Sequence, residues 1–234
     1  MEAILDFARG PLFRLTFALM ILGLLRIFIL DIWGLLKTYS RAGDKTVPWG
    51  NAVKKTINWL IPVNRAVKTR PFYSLFSILF HVGLILVPLF LFAHVSLWKG
   101  SLGFGWITLN KELADILTVS TVVFGIFLFI GRVASRESRF ISRKQDYLWP
   151  LLLIIPFITG FICANISVSP HGYQQSMLIH VLSGELIFIL LPFTKIAHCV
   201  IMPLSQFIIA VAWRFPPGTD DDIVITLNKK GEPI

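Results

Sequence analysis

Residues 177–203 read MLIHVLSGELIFILLPFTKIAHCVIMP, an apolar run longer than a soluble helix needs and long enough to cross a bilayer. His180 and His198 lie eighteen residues apart within it. At about 100° and 1.5 Å per residue that is roughly five turns, or about 27 Å along one helix face. A continuous helix therefore presents an imidazole near each edge of the membrane. Ionisable side chains at membrane depth are costly and mark functional sites, and neutral imidazole is a common metal ligand. The expectation is two metal centres stacked across the bilayer, provided another helix supplies partners.

Residues 72–98 form a second apolar run and carry His81 and His94. Run antiparallel to the first, it pairs His81 with His198 at one edge and His94 with His180 at the other. Iron porphyrin takes axial imidazoles from facing helices, and histidine-only ligation argues against structural zinc. The plainer reading of each histidine is a polar contact between helices. One difficulty is internal to the second run: thirteen residues of ideal helix set His81 and His94 about 140° apart in azimuth and about 20 Å apart in height. Pro88 lies between them, and a kink with local re-winding there is the expected reconciliation.

The chain has 234 residues, is 55% hydrophobic and only 15% charged, well under the roughly 25% charge of a soluble domain. An all-α integral membrane protein is expected. Five runs are long enough to span, at roughly 12–36, 72–98, 113–132, 147–167 and 177–202. They predict a five-helix bundle over residues 1–215, with a short polar tail at 216–234. The start carries Glu2 and Asp6 without a basic leader, so the first helix is expected to be retained.

The net charge of +9 is a topology signal rather than a nucleic-acid footprint. Lys37, Arg41, Lys45, Lys54, Lys55, Arg65, Lys68 and Arg70 crowd one connection, and Arg132, Arg136, Arg139, Arg143 and Lys144 another; the loop after Trp98 has only Lys99 and Lys111. By the positive-inside rule both basic stretches are cytoplasmic, the N-terminus is outside and the C-terminus is inside. The run NAVKKTINWLI, residues 51–61, reads as an amphipathic helix on the membrane surface and also as a docking face for a soluble partner. Cys163 and Cys199 are far apart and imply no disulfide framework, and without C-x-x-C-H any haem is of b type.

Several other residues carry chemistry under one of two readings. Arg26 suits a haem propionate or an ion pair with Asp31. Gly83 and Gly184, near His81 and His180, suit the approach of a flat macrocycle or close helix packing. Lys111, near the outer edge, suits a quinone carbonyl. Glu185 suits a proton route from a quinol site or a structural hydrogen bond. Lys195, one turn before His198, suits a propionate at the cytoplasmic edge, while His171 reads as a surface residue.

The motif His180-x-x-x-Gly184, followed by LLPFTKIAH ending at His198 and then Pro203, together with FHVG around His81, resembles the five-helix dihaem cytochrome b family of the respiratory nitrate reductase gamma subunit. That family includes the membrane subunits of heterodisulfide reductase and of the Dsr and Tmc complexes, and LPLFLFAH and HVLSGE look most like the Tmc and Dsr type. The resemblance covers all five runs. It implies two b haems, one on His81 and His198 at the cytoplasmic side and one on His94 and His180 at the outer side, with quinol chemistry beside the outer one. It also implies a cytoplasmic iron–sulfur or catalytic subunit as partner.

The sequence thus predicts a multi-pass subunit of a prokaryotic cytoplasmic-membrane oxidoreductase. Its two haems would pass electrons between menaquinone or ubiquinone and that partner. The alternative is a non-redox anchor or small transporter whose histidines bind protons or metal; such a transporter is expected to show internal repeats or paired broken helices.

Overall fold

The computed structural model describes residues 1–42, 47, 49–60, 71–212 and 219–228, and every regular element among them is a helix. We label these α1 (Glu2–Phe7), α2 (Phe13–Arg41), α3 (Trp49–Leu60), α4 (Pro71–Phe90), α5 (Phe92–Leu102), α6 (Lys111–Ala134), α7 (Arg136–Ile141), α8 (Lys144–Asn165), α9 (Pro170–Leu190), α10 (His198–Ala212) and α11 (Thr219–Thr226). Lys45, Arg65, Lys68 and Arg70 of the first basic stretch lie outside the described residues, as do 213–218 and 229–234 of the polar end.

Among the described residues six segments are long and apolar enough to cross a membrane: Glu2–Arg41, Pro71–Phe90, Lys111–Ala134, Lys144–Asn165, Pro170–Phe193 and Lys195–Ala212. Large apolar side chains such as Leu22, Ile29, Ile85, Ile116 and Ile179 stay exposed along them, as lipid-facing positions do. The chain has the character of a multi-pass membrane protein.

The count of six corrects the expected five, because the run 177–202 is not one helix. After α9 the backbone tightens into 3-10 turns at Leu191–Phe193 and Lys195–Ala197, with Thr194 between them extended at φ −131°, ψ −179°. Pro192 lacks the N–H that the next helical rung would need. The five-turn spacing of His180 and His198 therefore does not apply, since they belong to separate helices. The run 72–98 is interrupted too: Leu91 is extended at φ −65°, ψ 131°, and α5 starts afresh after it. The first span is longer than expected and passes through a π turn at Ala8–Leu12, which contains Pro11.

The chain gathers into two compact units, one of Met1–Phe17 with Asn64–Ile189 and one of Ala18–Val63 with Leu190–Ile234. In the first, α4 and α6 approach so closely that a Cβ on Gly83 would overlap the Thr121 hydroxyl, while Gly125 admits Ile154 and Phe80. Gly83 thus serves helix packing. The Thr118 and Thr121 hydroxyls donate back to Ala114 O and Leu117 O, each at 2.7 Å, so these polar groups are satisfied inside an apolar bundle. Phe80, Leu128 and Ile154 form the core, with Phe76 stacked on Phe124 at 5.4 Å. Arg132 ties the end of α6 to Ser142 Oγ at 2.9 Å and to the Tyr73 hydroxyl at 3.2 Å.

A second cluster joins the chain start to α5 and α9. Phe17 meets Trp98 edge-on at 4.7 Å, and Phe13 meets Phe188 at 6.0 Å. Such pairs add about 0.5–1.5 kcal/mol each beyond area burial, so they fix the helices that carry His94 and His180.

In the second unit Leu35, Ala42, Ala52 and Val211 form the buried core, and Trp49 stacks on Phe207 at 6.1 Å. The amphipathic helix expected in the first basic stretch is α3. Trp49, Val53, Ile57 and Leu60 remain exposed on it beside Lys54 and Lys55. Gly23 lies against Pro192, where a Cβ would overlap the proline ring.

Candidate metal centre

The interruption at Leu91 creates the first half of the site. A helix end leaves its last carbonyls without partners, and at membrane depth each must find a donor. Here Val87 O accepts from Leu91 N at 3.0 Å, Pro88 O from His94 Nδ1 at 3.0 Å, Leu89 O from the Trp106 indole at 2.7 Å and Phe90 O from Leu109 N at 2.8 Å. His94 is thus oriented by the helix it follows, and the loop carrying Trp106 and Leu109 closes the remaining positions. The break also removes the 140° difficulty, which assumed one continuous helix between His81 and His94.

The second half is built on α8 and α9. His180 Nδ1 donates to Pro156 O at 2.8 Å. It reaches that carbonyl by lying over Gly160, one turn further along α8, where a Cβ would stand only 2.9 Å from ring Cε1 and 3.0 Å from Nδ1. Pro156 and Gly160 therefore act together: one offers the acceptor and the other clears the path to it.

The His94 and His180 rings stand 6.0 Å apart, centroid to centroid, with their planes 17° from parallel. A carbonyl oxygen only accepts, so both rings carry their proton on Nδ1 and keep the Nε2 lone pair for a metal. Two axial imidazoles with metal–nitrogen bonds of about 2 Å, and ring centroids about 1 Å behind each nitrogen, would stand roughly 6 Å apart. The centroid separation and the Nδ1 anchoring of both rings are compatible with two imidazoles sharing one metal.

His81 and His198 are anchored in the same way. His81 Nδ1 donates to Ser77 O at 2.7 Å, and His198 Nδ1 to Lys195 O at 2.8 Å. His81 belongs to the first unit and His198 to the second, and each is described within its own. Lys195 contributes its carbonyl to His198, and its side chain is exposed. Arg26 is exposed on α2 and forms no ion pair with Asp31 among the described residues.

Lys111 is engaged. Its ammonium donates to Asp115 Oδ2 at 2.9 Å and to Asn165 Oδ1, while Asn165 Nδ2 donates to Asp115 Oδ1 at 2.9 Å. This closed triad links the start of α6 to the end of α8. Glu185 is the opposite case: it is 3% exposed, and neither carboxylate oxygen has a hydrogen-bond partner among the described residues. The structural hydrogen bond that was one of its two readings is not formed there. Gly184 has open space where its Cβ would be, so close helix packing does not account for it among the described residues.

Three contributors escaped the sequence reading. Pro156 and Gly160 stand one turn apart in an apolar run, a pattern that signals a bend but not which side chain packs into it. Arg9, in the π turn, lies within electrostatic range of both His180 and Cys163. An arginine directly before Gly10-Pro11 in an apolar run was its one visible signal.

No protein-family model matches the chain, and no solved structure matches it. A protein of the bacterium Nitratidesulfovibrio vulgaris (strain Hildenborough), named only "Protein", is 31% identical over 204 residues, which cover 86% of this chain and 89% of that relative. The alignment spans nearly the whole of both sequences, and the chain belongs to the family of this Nitratidesulfovibrio vulgaris protein.

Proposed function

We propose that the chain is the membrane-embedded dihaem cytochrome b subunit of a bacterial respiratory oxidoreductase, similar to the nitrate reductase gamma family. Electrons pass between menaquinone or ubiquinone and a cytoplasmic iron–sulfur or catalytic subunit. The observation that carries the reading is the His94–His180 pair, 6.0 Å apart with each Nδ1 bound to a helix carbonyl. The bacterial origin of the relative agrees with a cytoplasmic-membrane location.

In this reading His94 and His180 hold the outer haem and His81 and His198 the inner one, the latter pairing resting on the resemblance. A bound b haem supplies reversible one-electron chemistry whose potential its ligands set. The chain's own residues orient and insulate. Pro88 O and Pro156 O fix the imidazole tautomers, and hydrogen bonds of that kind raise ligand basicity. Gly160 sets the plane of one ring, and the Phe13, Phe17, Trp98 and Phe188 cluster keeps α5 and α9 in place. In this reading Arg26 and Lys195 would bind propionates at the cytoplasmic side, and Arg9 those at the outer side. Lys111 keeps one ammonium proton beyond its two acceptors, which a quinone carbonyl can take.

A second reading, a small transporter whose histidines bind protons or metal, draws on the interruptions at Leu91 and Thr194, because ion-coupled transporters coordinate cations at broken helices. At Leu91, however, Pro88 O, Leu89 O and Phe90 O already each carry a donor. That favours the cytochrome.

Pyridine haemochrome quantitation on the purified full chain, with a dithionite-reduced minus oxidised spectrum, tests the proposal. Two b haems per chain are expected; a colourless protein sends the reading to the transporter.

A further inference from the structure

Glu185 is the one carboxyl of the first unit that is buried with both oxygens unpartnered among the described residues, and the electron path described above does not use it. It follows His180 by five residues on α9, so its Cα lies about 7.5 Å further along the helix axis and about 140° around it, roughly 9 Å from that of His180, and any coupling between them is through charge rather than contact. Neither carboxylate oxygen of Glu185 meets a cationic or other donor group within hydrogen-bond reach among the described residues.

A carboxylate without hydrogen bonds or a counter-ion in a low-dielectric site is held charged only at large cost. Its protonation state then follows whatever charge changes nearby, since Coulomb interactions in such surroundings are strong. Within the proposed function the quantity that changes is the charge of the iron between His94 and His180. The porphyrin–iron core is positive when ferric and neutral when ferrous.

We propose that Glu185 binds a proton when the metal centre held by His94 and His180 gains an electron, and releases it when the electron leaves. The inference rests on the haem reading above and deepens it, making this a proton-coupled centre. The balance is simple. One electron from a quinol, or from dithionite in the assay, reduces ferric to ferrous iron; one proton from water converts the Glu185 carboxylate to the neutral acid; reoxidation returns both.

The test is a potentiometric titration of the haems across pH, on the full chain and on Glu185→Gln and Glu185→Asp, with haem content measured in parallel. In the wild type the midpoint of the His94/His180 haem falls as pH rises, since reduction consumes a proton. Glu185→Gln keeps both haems and loses that slope, and Glu185→Asp restores it. An unchanged slope in Glu185→Gln, or none in the wild type, overturns the inference while leaving the haems in place. Absence of haem from the wild type overturns the functional reading itself. If Glu185→Gln fails to assemble, the wild-type reduced-minus-oxidised infrared difference spectrum decides. A protonated-carboxyl C=O band that appears on reduction and shifts in heavy water supports the inference, and its absence overturns it.

Discussion

The imidazoles of His94 and His180 stand 6.0 Å apart with their planes 17° from parallel, and each donates its Nδ1 proton to a helix carbonyl. Two rings held by separate backbone acceptors are positioned before any metal arrives, and such preorganisation lowers the cost of binding. If they share one haem, His94→Ala and His180→Ala each lose the same haem and keep the other. Haemochrome stoichiometry then falls from two to one in both, with the same spectral component missing. His81→Ala and His198→Ala lose the complementary component. Loss of different components from His94→Ala and His180→Ala would break the pairing.

Gly160 is the position where the smallest change reaches the site. A methyl there falls within van der Waals contact of the His180 ring, 2.9 Å from Cε1. Overpacking of this kind costs about 1–3 kcal/mol. It also turns the ring away from Pro156 O. Gly160→Ala is expected to shift the low-spin ferric electron paramagnetic resonance signal of one haem and leave the other unchanged, and Gly160→Val to lose that haem. Gly34→Ala, which meets open space on α2, serves as the control and keeps both signals.

Trp106 tests the closure of the broken helix. Its indole donates to Leu89 O at 2.7 Å, and Trp106→Phe keeps the ring while deleting the donor. A lost hydrogen bond of this kind costs about 1 kcal/mol. The variant is expected to unfold at a slightly lower temperature and to release the His94 haem first on heating, followed by its visible absorption.

How much of this was legible in the sequence depends on how local each signal is. His94 and His180 announce themselves because an ionisable side chain in an apolar run needs a reason, and their pairing follows from two runs of opposite direction. The interruptions at Leu91 and Thr194 do not. Pro88 lies three residues before the first break, within α4, and nothing in Leu91 itself favours an extended backbone. The acceptors at Leu89 and Phe90 are filled from residues 106 and 109, across a loop whose path no periodicity encodes. Pro156 and Gly160 carry a bend signal, whereas their use by His180 depends on how α8 and α9 meet.

Lys111 separates a structural role from a redox one. Its side chain is 69% exposed and that of Asp115 is 31% exposed, so the ion pair adds at most about 1 kcal/mol. Lys111→Met and Asn165→Ala both open the triad and should lower stability by similarly small amounts, with haem content intact. Only Lys111→Met is expected to slow haem reduction by a quinol analogue, with reduction by dithionite unaffected. Equal slowing in both variants assigns Lys111 to holding α6 on α8 and nothing more.

The ends of α2 and α10 decide the topology. In the second unit Val211, near the end of α10, packs with Leu35 and Ala42 at the end of α2 and with Ala52 of α3. Residues 37–70 carry eight basic side chains, and by the positive-inside rule that connection is expected on the cytoplasmic side. A helix end buried against α3 and the end of α2 must lie on the same side, although six segments are long enough to span. With that connection on the cytoplasmic side, the end of α10 and the C-terminus are expected there too. A green fluorescent protein fused after residue 234 is expected to fluoresce and alkaline phosphatase at the same point to be inactive. The reverse pattern would mean that Lys195–Ala212 crosses by itself, and it would move the residues after α10 away from any cytoplasmic partner.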